Sequence, residues 1–497
     1  MEIKFNQTSC RCLRRVASGI QVREQTQEVR LPDAMPDIGR VLGCWGQVLL
    51  RGKEWRSGGM GVNGGVMAWV LYAPEDGSEP RTIDAWIPFQ MKWEFPETER
   101  DGFICVDPRL RSIDARSTSA RKLMVRANIS AKGQALEGIE EQIMQPVDVP
   151  EDMQLLTNVY PMELPQEFGE KQVQLDEELT VNGTYPPVEK IIRYEMNPQI
   201  TEKKVMASRV VFRGKGMLHL VYFGGGKVCC WDGEIPFSQY ADLDRDYGPN
   251  SNAEIIPVIT NLELDMSEGR LLLKCGMTAQ FVISDRVMVE LTEDAYSPVR
   301  SVKLTHQELS LPQRLEIRTE QMTAAQTVNA EAERVLDVNW LPDHPQPRQG
   351  EEMAALGMGG IFQVLYQDTT GNLQCASVRY EQEWELPADS DTLVDGVVHP
   401  DGEPQAVVTG QGIEISAAYL LDTTVYSGHG NITVTGIEAG EAEQPDPMRP
   451  SLILQRYDSP RLWDTAKACG STVETIRIAN GLQGEPEKGQ MLLIPIS

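Results

Sequence analysis

Nowhere in this sequence do 18 or more apolar residues follow one another, so no segment is long enough to be read as a membrane-spanning helix. The stretch Met1 to Thr8 is polar and lacks the basic, apolar and small-residue order of a secretory leader. Positive charge is scarce as well: 46 Lys and Arg face 73 Asp and Glu, a net charge of −27. That balance argues against nucleic acid, which is held by cations neutralising phosphate, and against docking on anionic lipid. Histidine occurs five times, as His219, His306, His344, His399 and His429, with no HExxH pair and no Cys/His ligand spacing, so spacing alone predicts no metal site. His219, inside an apolar strand, is expected to be a packed and satisfied residue.

The nine cysteines are an odd number and read as reduced thiols, which implies a cytosolic compartment. Cys10-Arg11-Cys12 and Cys229-Cys230 lack the two-residue gap of redox and metal motifs, and are expected to pack in cores or lie free. No GxSxG elbow or Cys/His signature appears, and carboxylates are too many for any pair to mark a glycosidase. Gly59-Met60-Gly61-Val62-Asn63-Gly64 fits the dinucleotide fingerprint in form only, because the strand follows it and no helix does. A turn leading into a strand is the better reading. The expectation is a protein that is no enzyme and holds no cofactor and no metal.

What the sequence has instead is repetition. A short apolar strand ending in tyrosine occurs three times, as Val66–Tyr72, Met217–Tyr222 and Ile361–Tyr366. Both faces of the first copy are apolar, which predicts burial on both sides. An acidic residue, Asp37, Glu189 or Glu333, stands 35, 33 or 33 residues before each tyrosine. Paired aromatics follow: Phe89 and Trp93, Phe237 and Tyr240, Tyr380 and Trp384. The tyrosines are 150 and 144 residues apart, the length of a domain and too long for a solenoid repeat. Hydrophobic content of 41% and a charged fraction of 24% describe a globular chain. Turn signals at Pro74–Gly77, Gly224-Gly225-Gly226 and Asp368–Asn372 separate short strands. The fold class predicted is mainly β: three tandem β-rich, sandwich-like domains at 1–150, 151–300 and 301–440.

An acidic, proline-bearing linker is expected at 441–450, followed at 451–497 by a small βααβ domain on a flexible tether. Leu452-Ile453-Leu454 and Met491–Pro495 read as its strands. Ser459 is expected to cap the first helix with Pro460 at its first position, and Ser471-Thr472-Val473-Glu474 to form a capping box on the second. Helical spacing buries Leu462, Ala466, Val473 and Ile476 and leaves Tyr457, Arg461, Trp463 and Arg477 as candidates for exposure, with Trp463 equally well read as the cap of this small core.

This last segment resembles a LysM module over Asp458 to Ala466, Ile476 to Leu482 and Gly489 to Pro495. The resemblance implies a groove for N-acetylglucosamine polymers, such as peptidoglycan, lined by Asp458, Ser459, Pro460, Asn480, Gly481 and Leu482. Tyr457, Arg461 and Trp463 join them as a candidate partner surface. The rest resembles the SPOCS family of spore coat proteins, through Leu31-Pro32-Asp33-Ala34-Met35-Pro36-Asp37-Ile38, Tyr72 and Ile87-Pro88-Phe89. Tandem SPOCS units followed by one LysM imply a non-enzymatic scaffold of spore-envelope assembly at the forespore surface. The partners so implied are the basement-layer ATPase of the coat and other coat proteins. Peptidoglycan binding through LysM is the alternative function, and a LysM-anchored wall hydrolase is a third that lacks a visible catalytic site.

Overall fold

A computed structural model describes residues 1–97, 102–181, 183–267, 269–309, 311, 314–349, 354–386, 392–427, 430–442 and 450–496. His429 and residues 443–449 of the expected linker lie outside these. The chain is mainly β. In the first segment β1 (Lys4–Arg30), β6 (Lys122–Val147) and β5 (Phe103–Ser119) make one sheet, in the order β1-β6-β5. β2 (Ile38–Arg56), β3 (Gly59–Pro74) and β4 (Arg81–Glu94) make another, and every pairing is antiparallel. β4 shows why: Ile83, Ala85, Ile87, Phe89, Met91 and Trp93 are buried, and their alternate neighbours from Asp84 to Glu94 are exposed, the period of a half-buried strand. The buried rows of both sheets share one core with Leu123, Val125, Ala127 and Ile129 of β6.

The second segment has β10 (Asn252–Ser267), β11 (Arg270–Tyr296) and β7 (Gln154–Leu179) in one sheet and β8 (Lys190–Gly224) with β9 (Lys227–Tyr247) in another. β8 folds back on itself near Ala207, whose φ is 48°. Across the fold Thr201 Oγ1 donates to Arg213 O (3.3 Å) and Glu189 N to Phe223 O (2.9 Å). The third segment runs through β12 (Arg300–Leu309), β13 (Arg314–Val328), β14 (Ala332–Pro342), β15 (Gln346–Gln349), β16 (Ala354–Asp368) and β17 (Leu373–Leu386). β18 (Thr392–Pro400), β19 (Gln405–Thr409), β20 (Gly412–Ser427) and β21 (Asn431–Ala442) complete it. Each of these two segments also encloses a core of its own. β21 reaches two residues into the stretch expected to be linker.

The first tyrosine strand is buried on both faces because it lies between two cores. Val66, Ala68, Val70 and Tyr72 point into the first segment's core, whereas Leu71 points the other way, to meet Val221 and Leu365. All three are fully buried, beside Leu42 and Ile192. The hub where the three segments meet is thus built from residues at matching places in the three copies. Tyr72 donates to Pro36 O (3.0 Å) and Tyr222 to Pro186 O (2.9 Å). The third segment has no proline at the matching place, and Tyr366 is only half-buried. Large aromatics at matching places in three copies are expected to fill cores, and Tyr240 is a correction to that expectation. It is 49% exposed and lies under Arg209, whose guanidinium carbon is 4.9 Å from the ring centroid. Arg121 fixes the opening Leu31–Ile38 stretch through Pro32 O, Met35 O and Asp37. Gly59 begins β3 after a turn at Gly58 (φ 79°), so the glycine run is strand.

The first and last strands of each segment run on beyond its core and pack on those of the others. Cys10, Cys12 and Ile143 share a cluster with Met162, Leu164, Val289, Leu291, Leu309 and Leu311. A second cluster joins Ile3, Met153, Ala295, Val434 and Ile437. Elsewhere glutamine amides stitch the segments as a strand would. Gln280 donates to Val106 O (2.7 Å) and accepts from Val106 N (3.0 Å). Gln363 donates to Cys44 O, and Gln47 accepts from Met196 N. These amides satisfy buried backbone groups that would otherwise be stranded between segments.

Candidate functional site

The C-terminal segment is β22 (Leu452–Arg456), α1 (Leu462–Cys469), α2 (Val473–Asn480) and β23 (Met491–Pro495), with β22 and β23 antiparallel. Leu462, Ala466 and Ile476 are fully buried, as helical spacing predicts, and Val473 is partly so. Gly470 and Gly481 end the helices in the left-handed region, at φ 63° and 64°. The N-termini differ from the expectation. The first cap is Arg461, with no side-chain cap bond, rather than Ser459 with Pro460 at N1. Glu485, from the loop after α2, caps that helix instead: its Oε2 accepts from Leu462 N (2.8 Å) and Tyr457 Oη (3.1 Å). A carboxylate there meets free N–H groups and the positive end of the helix. The second cap is Thr472, one residue later than the expected box, accepting from Thr475 N at 3.1 Å.

The nine candidate residues separate into two groups. Asp458, Pro460 and Gly481 are exposed, and Ser459 and Leu482 are half-buried, Ser459 accepting from Thr465 Oγ1 (3.0 Å). Glu485 ties their two loops together and was not anticipated, because a glutamate in a polar loop carries no sequence signal. Asn480 spends its amide inside the module: Nδ2 donates to Ile476 O and Leu493 O, and Oδ1 accepts from Leu493 N.

The second group corrects the expectation of exposure. Tyr457 is 4% and Trp463 is 7% exposed. Trp463 packs edge-on against Tyr296 of β11, with ring centroids 4.8 Å apart, and donates from Nε1 to Asp294 Oδ2 (2.8 Å). Lys467 donates to both oxygens of Asp294 (2.7 and 2.8 Å), Arg461 reaches Glu293 (3.4 Å), and Tyr296 Oη donates to Ser471 O (2.9 Å). Burial pushes the Asp294 carboxyl up, but the Lys467 and Trp463 hydrogen bonds outweigh it and hold the pKa below its usual value. The module is therefore docked on β11, not swinging free. The residues that dock it look, by sequence, like surface contacts for another molecule, and their partner turns out to be this chain.

A second polar constellation lies beside the hub. Arg193 of β8 donates from Nε and Nη2 to Asp337 Oδ2 of β14 (3.0 and 2.6 Å) and reaches Glu195 (3.0 Å). His219 is satisfied on both ring nitrogens, as expected: Nδ1 is 2.6 Å from Asp232 and Nε2 is 2.9 Å from Asp337. Arg193 and Asp337 are 1% and 2% exposed. Burial pushes the imidazole pKa down, yet hydrogen bonds to the two carboxylates dominate and raise it to about 10. Burial likewise raises Asp337, but Arg193 and His219 hold it far below the usual carboxylate range. This network was not legible in sequence, since Arg193 and Asp337 are 144 residues apart. Ligand-type atoms converge on His219, with Cys230 and Asp337 on one side and with Asp232 and Glu403 on the other.

Among the described residues no helix is long and apolar enough to cross a membrane. Neither a curated protein nor a solved structure matches this chain. Residues 187–267, which carry Arg193, His219 and Asp232 through β8, β9 and β10, match the family described as SipL, SPOCS domain, and over that stretch the chain is similar to SPOCS-domain proteins.

Proposed function

We propose that this protein is a non-enzymatic scaffold of spore-envelope assembly, made of three SPOCS-type domains at 1–150, 151–300 and 301–440 and a LysM module at 451–497. The observation that carries it is the SPOCS match over residues 187–267. The tandem reading draws further support from the hub, where Leu71, Val221 and Leu365 meet from matching places, and from the shared bond of Tyr72 and Tyr222. A scaffold has to hold its contact surfaces in fixed relation. The interlocked segments and the docked module suit that task better than a string of loosely tethered beads would.

On this reading the chain acts in the mother-cell cytoplasm at the forespore surface, and its partners are the basement-layer ATPase of the coat and other coat proteins. The exposed loops at Asp458, Pro460 and Gly481 favour one competing reading, glycan capture by the LysM groove. Pull-down of the purified full-length chain on the immobilised ATPase and on purified peptidoglycan separates the two. Retention by the ATPase alone supports the scaffold. Retention on peptidoglycan alone, competed away by soluble N-acetylglucosamine oligomers, replaces it with the wall-binding reading.

A further inference from the structure

Where β8 and β9 meet the loop between β18 and β19, three ligand atoms come together. They are Nδ1 of His219 and carboxylate oxygens of Asp232 and Glu403, all within 4.8 Å of one another. The ring is held from behind. Its Nε2 lies 2.9 Å from Asp337 Oδ1, and the other oxygen of Asp337 is fixed by two guanidinium nitrogens of Arg193. With Nε2–H donating to Asp337, Nδ1 is the nitrogen turned toward Asp232 and Glu403, and an ion bound there would displace the proton that Nδ1 shares with Asp232. A carboxylate that orients a histidine through its far nitrogen is the recurrent support of metal-ligating imidazoles. The charge also fits a cation. Asp232, Asp337, Glu403 and Glu195 gather around Arg193 and His219, and no hydrogen-bond donor reaches Glu403 among the described residues.

We propose that His219, Asp232 and Glu403 form a binding site for a divalent transition metal, with Zn²⁺ the best-suited ion and solvent completing its shell. One nitrogen and two carboxylates suit tetrahedral Zn²⁺, whereas Ca²⁺ and Mg²⁺ prefer all-oxygen shells. Asp232 and Glu403 are on the surface and can adjust. Ligands about 2.0–2.2 Å from Zn²⁺ require the 2.6 Å contact between Nδ1 and Asp232 to open slightly. The opposite face of the ring, toward Cys230, is a poor site. Arg193 occupies Asp337 there, and the Cys230 thiol already donates to Leu336 O (3.1 Å). His219 and Asp232 belong to the second segment and Glu403 to the third, so the ion would clamp one to the other. This inference does not depend on the scaffold reading.

Titrating the metal-stripped full-length protein with Zn²⁺ in a calorimeter, under a non-chelating reductant, tests it. One equivalent should bind and raise the melting temperature. Glu403→Gln and Asp232→Asn should each weaken that binding about tenfold or more. Glu403→Gln, at an exposed position with no hydrogen bond to lose among the described residues, should leave the metal-free melt intact. Cys230→Ser should leave binding unchanged, and the Co²⁺ form should show visible d–d bands without a thiolate charge-transfer band. The absence of stoichiometric uptake overturns the proposal. So does uptake indifferent to both carboxylate substitutions, or a thiolate band that Cys230→Ser removes.

Discussion

Two contacts in this molecule use the same device, a carboxylate set against a cation between elements far apart in sequence, and they use it under different conditions. At the hub Asp337 meets Arg193 with both side chains sealed from solvent. At the docked C-terminal module Asp294 meets Lys467, whose side chain is 43% exposed. A buried pair adds little net stability when whole but is costly to break, because the remaining partner keeps its charge without solvent. A half-exposed pair is screened and can be rehydrated when it opens. The hub pair is therefore the costlier of the two to break, and the pair at the module the cheaper.

Substitutions that remove one carboxylate at a time would break or sharpen this contrast. Asp337→Ala takes from Arg193 its buried counter-charge, leaving it Glu195, and from His219 one of its two carboxylates, and should cost about 3–5 kcal/mol of global stability, read from urea denaturation. A loss below about 1 kcal/mol would mean that water reaches the hub and that the two joints are alike. Asp294→Ala removes the acceptor shared by Trp463 and Lys467 and should weaken docking by about 2–3 kcal/mol. Hydrogen exchange in α1 and α2 should then rise while the main thermal transition stays in place. If the whole protein melts earlier instead, the module is an integral part of the body.

His344, at the seam between the third and first segments, offers a pH test away from both joints. It is 2% exposed, donates to Asp107 O (3.0 Å), and burial with the nearby Arg109 charge pushes its pKa down to about 3. The unfolded chain, with an ordinary histidine pKa near 6.5, binds the proton first. Stability from the neutral ring is thus complete above about pH 6.5 and is lost as pH falls toward 3, about 2 kcal/mol of it by pH 5. His344→Gln keeps an N–H donor and should remove that part of the acid sensitivity, measured as the difference in denaturation between pH 7.5 and 5. An unchanged slope would place the sensitivity elsewhere. The smallest effect is expected at Lys215, 44% exposed and paired with Glu234, 55% exposed. Lys215→Ala should change stability by no more than about 0.5 kcal/mol, and a larger loss would undo the distinction between sealed and solvated pairs.

The strands were legible in sequence because their signal is local. Alternation in β4 and the double apolar face of β3 follow from which side chains can leave water, and the glycines at 225, 226, 371, 470 and 481 mark turns and helix ends by their backbone freedom. Helix starts were less so. Ser459 and Ser471 have the right chemistry for caps, but a glutamate twenty-three residues after Leu462 took the first helix, and competition from a distant side chain leaves no trace in the local pattern. Tyr457 and Trp463 fared worst as candidates for exposure. Both join the cluster of Leu462, Ala466 and Ile476, and nothing nearby in sequence announces that Glu485 will hold Tyr457 or that Tyr296 and Asp294 will cover Trp463.

The sequence by itself determined the β character, the three tyrosine strands and the helical pair of the C-terminal segment, since each rests on periodicity and turn chemistry within a few residues. Only the tertiary structure decided that Leu71, Val221 and Leu365 share one hub, that Arg193 finds Asp337, that Glu403 comes to His219 and that Trp463 faces inward. Those pairings join residues more than a hundred positions apart. They are selected by which buried charges and apolar faces can be satisfied together, a condition that no local stretch of the chain contains.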